Sequence, residues 1–176
     1  MEAFLKVVSE QKVQTPKTWS KFPGVSDWDS TKGHKSRSAG DFLVKCDSKT
    51  SNAIKQLIKN SWDQLVNIDS VQRIENPELF CKYDAHRRRY CGRASQEPFS
   101  PISPEVRTLK YSSPLLDQQR IAEVNEYYFF HGSKDKFKDP IITKGFDFRF
   151  AGNGLFGKGV YMAEEVKKSD GYSGER

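Results

Sequence analysis

The chain has 176 residues, enough for one domain with a hydrophobic core, and 36% of them are apolar against 30% charged, a balance that leaves part of the chain as loop or tail. Lys and Arg number 29 against 23 Asp and Glu, a net +6 with a pI near 9.2; this favours an anionic partner, nucleic acid or a dinucleotide, although a basic solvated surface is the plainer explanation. Cys46, Cys81 and Cys91 are too few and too odd for the disulfide framework of a small secreted domain, and no apolar run reaches signal-peptide or membrane-spanning length, so the expectation is an intracellular chain of the cytoplasm or nucleus with no membrane partner.

Residues 1–40, rich in Ser, Lys, Thr and Gly, read as an irregular lead-in. Among their isolated aromatics, Trp19, Phe22 and Trp28, the two tryptophans are expected to plug a groove on the domain formed by residues 41–176. Peptide binding is the alternative. From Asp47 to Ile68, the residues Ile54, Leu57, Ile58, Trp62 and Leu65 fall within an arc of about 140°, which predicts an amphipathic helix with Ser or Thr as its cap. Ser70 to Glu75 alternates and predicts a short strand. Asn76-Pro77-Glu78 then supplies an N-cap, a proline at the first helical position and an acid in the first turn.

That second helix carries Leu79, Phe80 and Tyr83 and runs into His86-Arg87-Arg88-Arg89, where cations offset the negative end of the helix dipole. Nucleic-acid contact is the alternative reading of the arginines. Cys81, His86 and Cys91, spaced five and five apart, diverge by about 140° at each step on a helix and cannot meet on one metal.

Residues 92–117 hold Pro98, Pro101, Pro104 and Pro114 among many serines and read as a proline-rich surface loop. Glu126-Tyr127-Tyr128-Phe129-Phe130 reads as a buried strand that ends in His131-Gly132-Ser133. A helix of about two turns is predicted over Pro140–Lys144, capped by Asp139 and stopped by Gly145. Next come a glycine-rich loop from Phe146 to Gly159, a short strand at Val160–Ala163 and a last helix over Glu164–Tyr172. The run Gly152 to Gly159 leads into a strand, whereas the Walker and dinucleotide fingerprints open a helix. By itself it reads as a mobile turn.

Three blocks carry more weight as a set than singly: Phe130-His131-Gly132-Ser133, Gly157-Lys158-Gly159-Val160-Tyr161-Met162-Ala163, and Lys167-Lys168-Ser169-Asp170-Gly171-Tyr172-Ser173. In order and spacing they resemble the signature of the poly(ADP-ribose) polymerase superfamily. Arg73-Ile74-Glu75-Asn76-Pro77 with Asn125-Glu126 is similar to its single-domain, mono-ADP-ribosylating branch. The likeness runs from about Trp19 to Arg176 and is weakest before Lys49 and in the proline-rich loop.

The resemblance implies an α+β ADP-ribosyltransferase fold, split antiparallel sheets with flanking helices, whose last strands would lie past Arg176. It implies NAD as substrate, no metal, and transfer of ADP-ribose to an acceptor protein with release of nicotinamide, mono-transfer being favoured and nucleic acid a second acceptor class. His131 is implied to donate a hydrogen bond to a ribose hydroxyl, and Gly132 and Ser169 to hold the nicotinamide carboxamide. Tyr172 would stack on the nicotinamide ring with Tyr161 on its other side. Ser133 and Lys168 would line the pocket, and Arg149 would face the adenosine or pyrophosphate.

His131 and Tyr161 are two members of the implied catalytic triad. The third, a glutamate in polymerising members, would lie beyond Arg176, so transfer by these residues alone is expected to be near zero. Each residue also has a bland reading, Tyr161 as a core aromatic and His131 as a satisfied buried histidine; the ordered set decides. Two rivals remain open: a catalytically inactive module that binds NAD or ADP-ribose, and a basic nucleic-acid-binding protein using Arg87 to Arg89.

Overall fold

Caps and a few long-range polar contacts hold the helices in place. The computed structural model describes residues 14–24, 37–62, 64, 66–102 and 105–174. Helix α1 (Ser48–Ser61) starts at Asp47, whose carboxylate accepts from the backbone N–H and the hydroxyl of Thr50, each at 2.8 Å. The cap is therefore an aspartate, where Ser or Thr was expected, because a carboxylate also complements the positive end of the helix. The Thr50 bonds hold the Asp47 carboxyl below its ordinary pKa. The helix ends earlier than the apolar periodicity suggests, since Trp62 turns to extended backbone; Leu65, the last member of the predicted stripe, lies outside the described residues.

Helix α2 (Pro77–Ala94) begins as expected, with Pro77 in the first turn and the Asn76 side chain accepting from Leu79 N–H at 3.2 Å. The same amide donates to the carbonyls of Ile142 and Thr143 at 3.0 and 3.1 Å. One buried side chain thus answers a free donor at the start of one helix and free acceptors at the end of another. Within α2, the buried Asp84 accepts from Arg87 Nε at 3.0 Å and Arg88 Nε at 2.7 Å. Two of the three clustered arginines are therefore tied into the helix itself, and Arg89 is exposed.

Strands β1 (Leu43–Lys45) and β2 (Gln72–Ile74) pair antiparallel, with Leu43 opposite Ile74. β2 was expected; β1 was not, because three residues are too few to show alternation. Residues 92–117 depart from an open loop. Val106, Thr108 and Leu116 are buried, and two single-turn helices, α3 (Thr108–Tyr111) and α4 (Pro114–Asp117), pack on α1. Pro114 opens α4 instead of preventing it, since the first turn has no use for its missing N–H.

Helix α5 (Asp135–Lys144) starts before the predicted Pro140, which lies inside it. A proline one turn into a helix removes only one bond of the ladder, and here the ladder continues past it. Gly145, at φ +80°, ends α5 as expected and donates to Ile141 O at 2.9 Å. The glycine-rich loop forms a small hairpin of β3 (Asn153–Gly154) and β4 (Gly157–Lys158). The two strands predicted at 126–130 and 160–163 meet in a single bridge, where Phe130 and Ala163 exchange N–H···O bonds of 2.8 Å. Helix α6 (Val166–Asp170) follows, packed on α1.

The architecture is α+β, small antiparallel sheets with flanking helices, as expected. Ala39, Phe42 and Ile142 form a core cluster flanked by Phe22 and Leu43. Trp19 is buried edge-on against Phe80, with ring centroids 5.1 Å apart. Trp19 thus plugs a groove as expected, while Trp28 lies outside the described residues. Among the described residues no helix is long and apolar enough to cross a membrane.

Glu75 anchors that lead-in. Its fully buried carboxylate accepts from the backbone N–H groups of Ser20 at 3.0 Å and Lys21 at 2.7 Å, and from Arg73 Nε at 3.1 Å. Burial alone would raise its pKa; the backbone donors and the guanidinium outweigh burial and lower it. A carboxyl whose folded pKa lies below its unfolded value adds stability that is complete above the unfolded value, near 4.5, and is lost as pH falls through the folded one. Urea midpoints should therefore be flat from pH 7 down to about 5 and fall below that, and Glu75→Gln should flatten the acid limb.

Candidate active site

Four segments meet at the Phe130–Ala163 bridge. Because that bridge sets Phe130 beside Ala163, the next residue on one strand, His131, faces the segment before Ala163. Its Nδ1 lies 2.9 Å from the Tyr161 carbonyl oxygen. A carbonyl only accepts, so Nδ1 carries the hydrogen and Nε2 is the nitrogen left for another partner. Phe146 packs edge-on against the imidazole with centroids 4.7 Å apart and fixes its plane. Phe146 went unnoticed as a site residue in the sequence, since nothing local marks the first residue of a glycine-rich loop as a histidine neighbour.

Gly132 lies against α6. A Cβ at this position would fall on the Ser169 carbonyl oxygen, 2.7 Å from the carbonyl carbon and 3.3 Å from Ser173 N. Only a glycine lets the two backbones come this close. Ser169 is buried and Tyr172, in the turn just after, is 66% exposed. The Ser169 hydroxyl makes no hydrogen bond to another protein group among the described residues. Ser133 is half-buried, with its hydroxyl 3.4 Å from Lys134 O, and Lys168 is exposed.

Tyr161 is committed more firmly than expected. Its phenol donates to Gly157 O at 2.6 Å and accepts from Phe156 N at 3.0 Å, and its ring covers Gly154, where a Cβ would come within 2.6 Å of Cε2. The glycine-rich run is therefore shaped around this ring, which supplies a reason for Gly154 that the bland turn reading lacked. Among the described residues the rings of Tyr161 and Tyr172 do not touch.

Arg149 is 84% exposed and is gripped by Asp147, with Nη2 to Oδ2 at 2.7 Å and Nε to Oδ1 at 3.0 Å. The guanidinium pulls the Asp147 carboxyl down to about 2. A phosphate would have to share Arg149 with this carboxylate. Glu164 and Glu165 are held by Arg107, through its backbone N–H at 2.7 Å and its guanidinium respectively, and neither is directed at His131. Phe148, Phe150, Leu155 and Phe156 stand exposed around the hairpin.

The structure brings His131, Gly132, Ser169 and the Tyr161 backbone together and sets Tyr172 at the edge of the same group, while Arg149 and Lys168 stand apart in solvent. Residues 48–176 match the poly(ADP-ribose) polymerase catalytic domain model. The chain belongs to that family. Poly(ADP-ribose) polymerase catalytic domains use NAD+ as substrate and transfer its ADP-ribose. The matched stretch starts at the first residue of α1 and takes in every residue of the three signature blocks. The polymerase match begins after β1, so the anchored lead-in and β1 lie outside it.

Proposed function

We propose that the protein transfers ADP-ribose from NAD+ to a side chain of an acceptor protein and releases nicotinamide. The observation that carries this reading is the contact of Gly132 with α6, which sets a bare peptide edge against the backbone of Ser169, a buried residue whose hydroxyl makes no hydrogen bond to another protein group among the described residues. A carboxamide has donors and an acceptor to satisfy, and a peptide edge with a serine hydroxyl can answer both. Tyr172 supplies an exposed aromatic face next to it. His131, with Nδ1 tied to the Tyr161 carbonyl, presents Nε2 to a ribose hydroxyl.

Cleavage of the bond between nicotinamide and ribose builds positive charge on the sugar, so a site assists by holding the leaving group and fixing the ribose. Ser169 and Gly132 serve the first task and His131 the second. Tyr161 shapes the hairpin beside them. Transfer of a single unit is favoured by the likeness of Arg73 to Pro77 and Asn125-Glu126 to the mono-transferring branch.

A calorimetric titration with NAD+ tests the pocket. Tyr172→Ala should raise the NAD+ Kd about tenfold, the worth of one stacking face, while leaving the melting temperature within about 1 °C, since the ring is exposed. An unchanged Kd refutes the stacking role. NAD+ binding by the protein without nicotinamide release would move the assignment to a binding module.

A further inference from the structure

A cleft of 640 Å³ opens between the lead-in, α2 and residues 119–128. It contains none of His131, Gly132, Tyr161, Ser169 or Tyr172. Its aromatic wall comes from Trp19, Phe80, Tyr83 and Tyr127, and its cations are Arg73, Arg87 and Arg120. Arg87, the first of the clustered arginines, lies over the Tyr83 ring at 5.5 Å, and Arg120 over the Tyr127 ring at 6.0 Å.

Each guanidinium is held from behind by a carboxylate. Glu75 takes Nε and Nη2 of Arg73, Asp84 takes Nε and Nη2 of Arg87, and Asp117 takes Nε of Arg120 at 3.2 Å. Among the described residues, Nη1 of Arg73 and both Nη groups of Arg120 have no protein acceptor. Glu126, 4.0 Å from Arg87 Nη1, is already engaged by Ile121 N–H. The forks are thus locked in plane while their remaining N–H edges stay available, the arrangement that binds a phosphate with little ordering cost.

We propose that this cleft is a second ligand site, for a nucleoside phosphate whose base lies against the aromatic wall and whose phosphate takes the unused N–H edges of Arg73 and Arg120. The carboxylates offset the arginine charges, so bare inorganic phosphate gains little there; base stacking and directed N–H bonds must act together. A free nucleotide and the phosphorylated end of a single-stranded nucleic acid share this chemistry. The site is independent of the ADP-ribosyl transfer reading.

The test is a titration of the chain with AMP, adenosine, inorganic phosphate and a 5′-phosphorylated trinucleotide. AMP should bind, with adenosine and phosphate each at least about tenfold weaker. Arg120→Gln should weaken AMP at least about tenfold, and Tyr83→Ala, which alters a half-exposed ring, about fivefold. Both variants leave the buried Glu75 pair intact and should fold. Tyr172→Ala should leave AMP binding unchanged. A trinucleotide that binds more tightly than AMP assigns the source to nucleic acid, and equal binding assigns it to free nucleotide; both uphold the site. No AMP binding at millimolar concentration, equal binding by Arg120→Gln, or loss of AMP binding in Tyr172→Ala overturns it.

Discussion

Gly132→Ala should abolish NAD+ binding and lower stability by about 3 kcal/mol, the upper range for inserting atoms where none fit. The added methyl would land on the Ser169 carbonyl oxygen, and that oxygen belongs to the backbone of α6, so no side-chain rotation relieves the clash. Either α6 shifts away from α1 or the Phe130–Ala163 bridge opens. Both movements separate His131 from Ser169. Ser133→Ala, one residue on, removes only a 3.4 Å contact to Lys134 O and should change stability by less than about 0.5 kcal/mol. Urea denaturation with an NAD+ titration on both variants checks the pair; a Gly132→Ala protein that binds NAD+ like the parent would remove the physical basis of the carboxamide pocket.

Glu75→Ala is the second large effect, about 3 kcal/mol by the measure of breaking a buried ion pair from one side. The substitution strands the Arg73 guanidinium and leaves the N–H groups of Ser20 and Lys21 without their acceptor. The loss should be local as well as global. Trp19 and Phe22 belong to the segment that Glu75 ties down, so limited proteolysis should cut near residues 14–24 in Glu75→Ala well before the parent. Glu75→Gln, which keeps the volume and one acceptor, should lie between the two. Equal protease resistance in parent and Glu75→Ala would show that aromatic packing alone holds the lead-in.

Both effects arise from contacts that join distant parts of the chain, and this divides what the sequence reveals from what it hides. α2 was legible because Asn76, Pro77 and Glu78 act within one turn, where a cap and the N–H that donates to it sit three residues apart. α1 was legible from its apolar stripe, and the stop at Gly145 from the need for positive φ. The family was legible because three short blocks keep their order and spacing. β1, with three residues, carries too little pattern to be read alone.

The tertiary structure alone decided the rest. That Glu75 is a buried anchor depends on N–H groups 54 and 55 residues away, and no periodicity encodes such a meeting. Arg149, legible as a cation on a glycine-rich loop, turned out to hold Asp147. Tyr161, legible as one ring of a pair, spends its hydroxyl on the hairpin. Arg73, Arg87 and Arg120 line one cleft only because three separate stretches of chain fold onto it. Local patterns report forces between neighbours in sequence, which determine helices, caps and motifs; the shape and charge of a site come from packing between residues far apart, which only the folded chain brings within reach of one another.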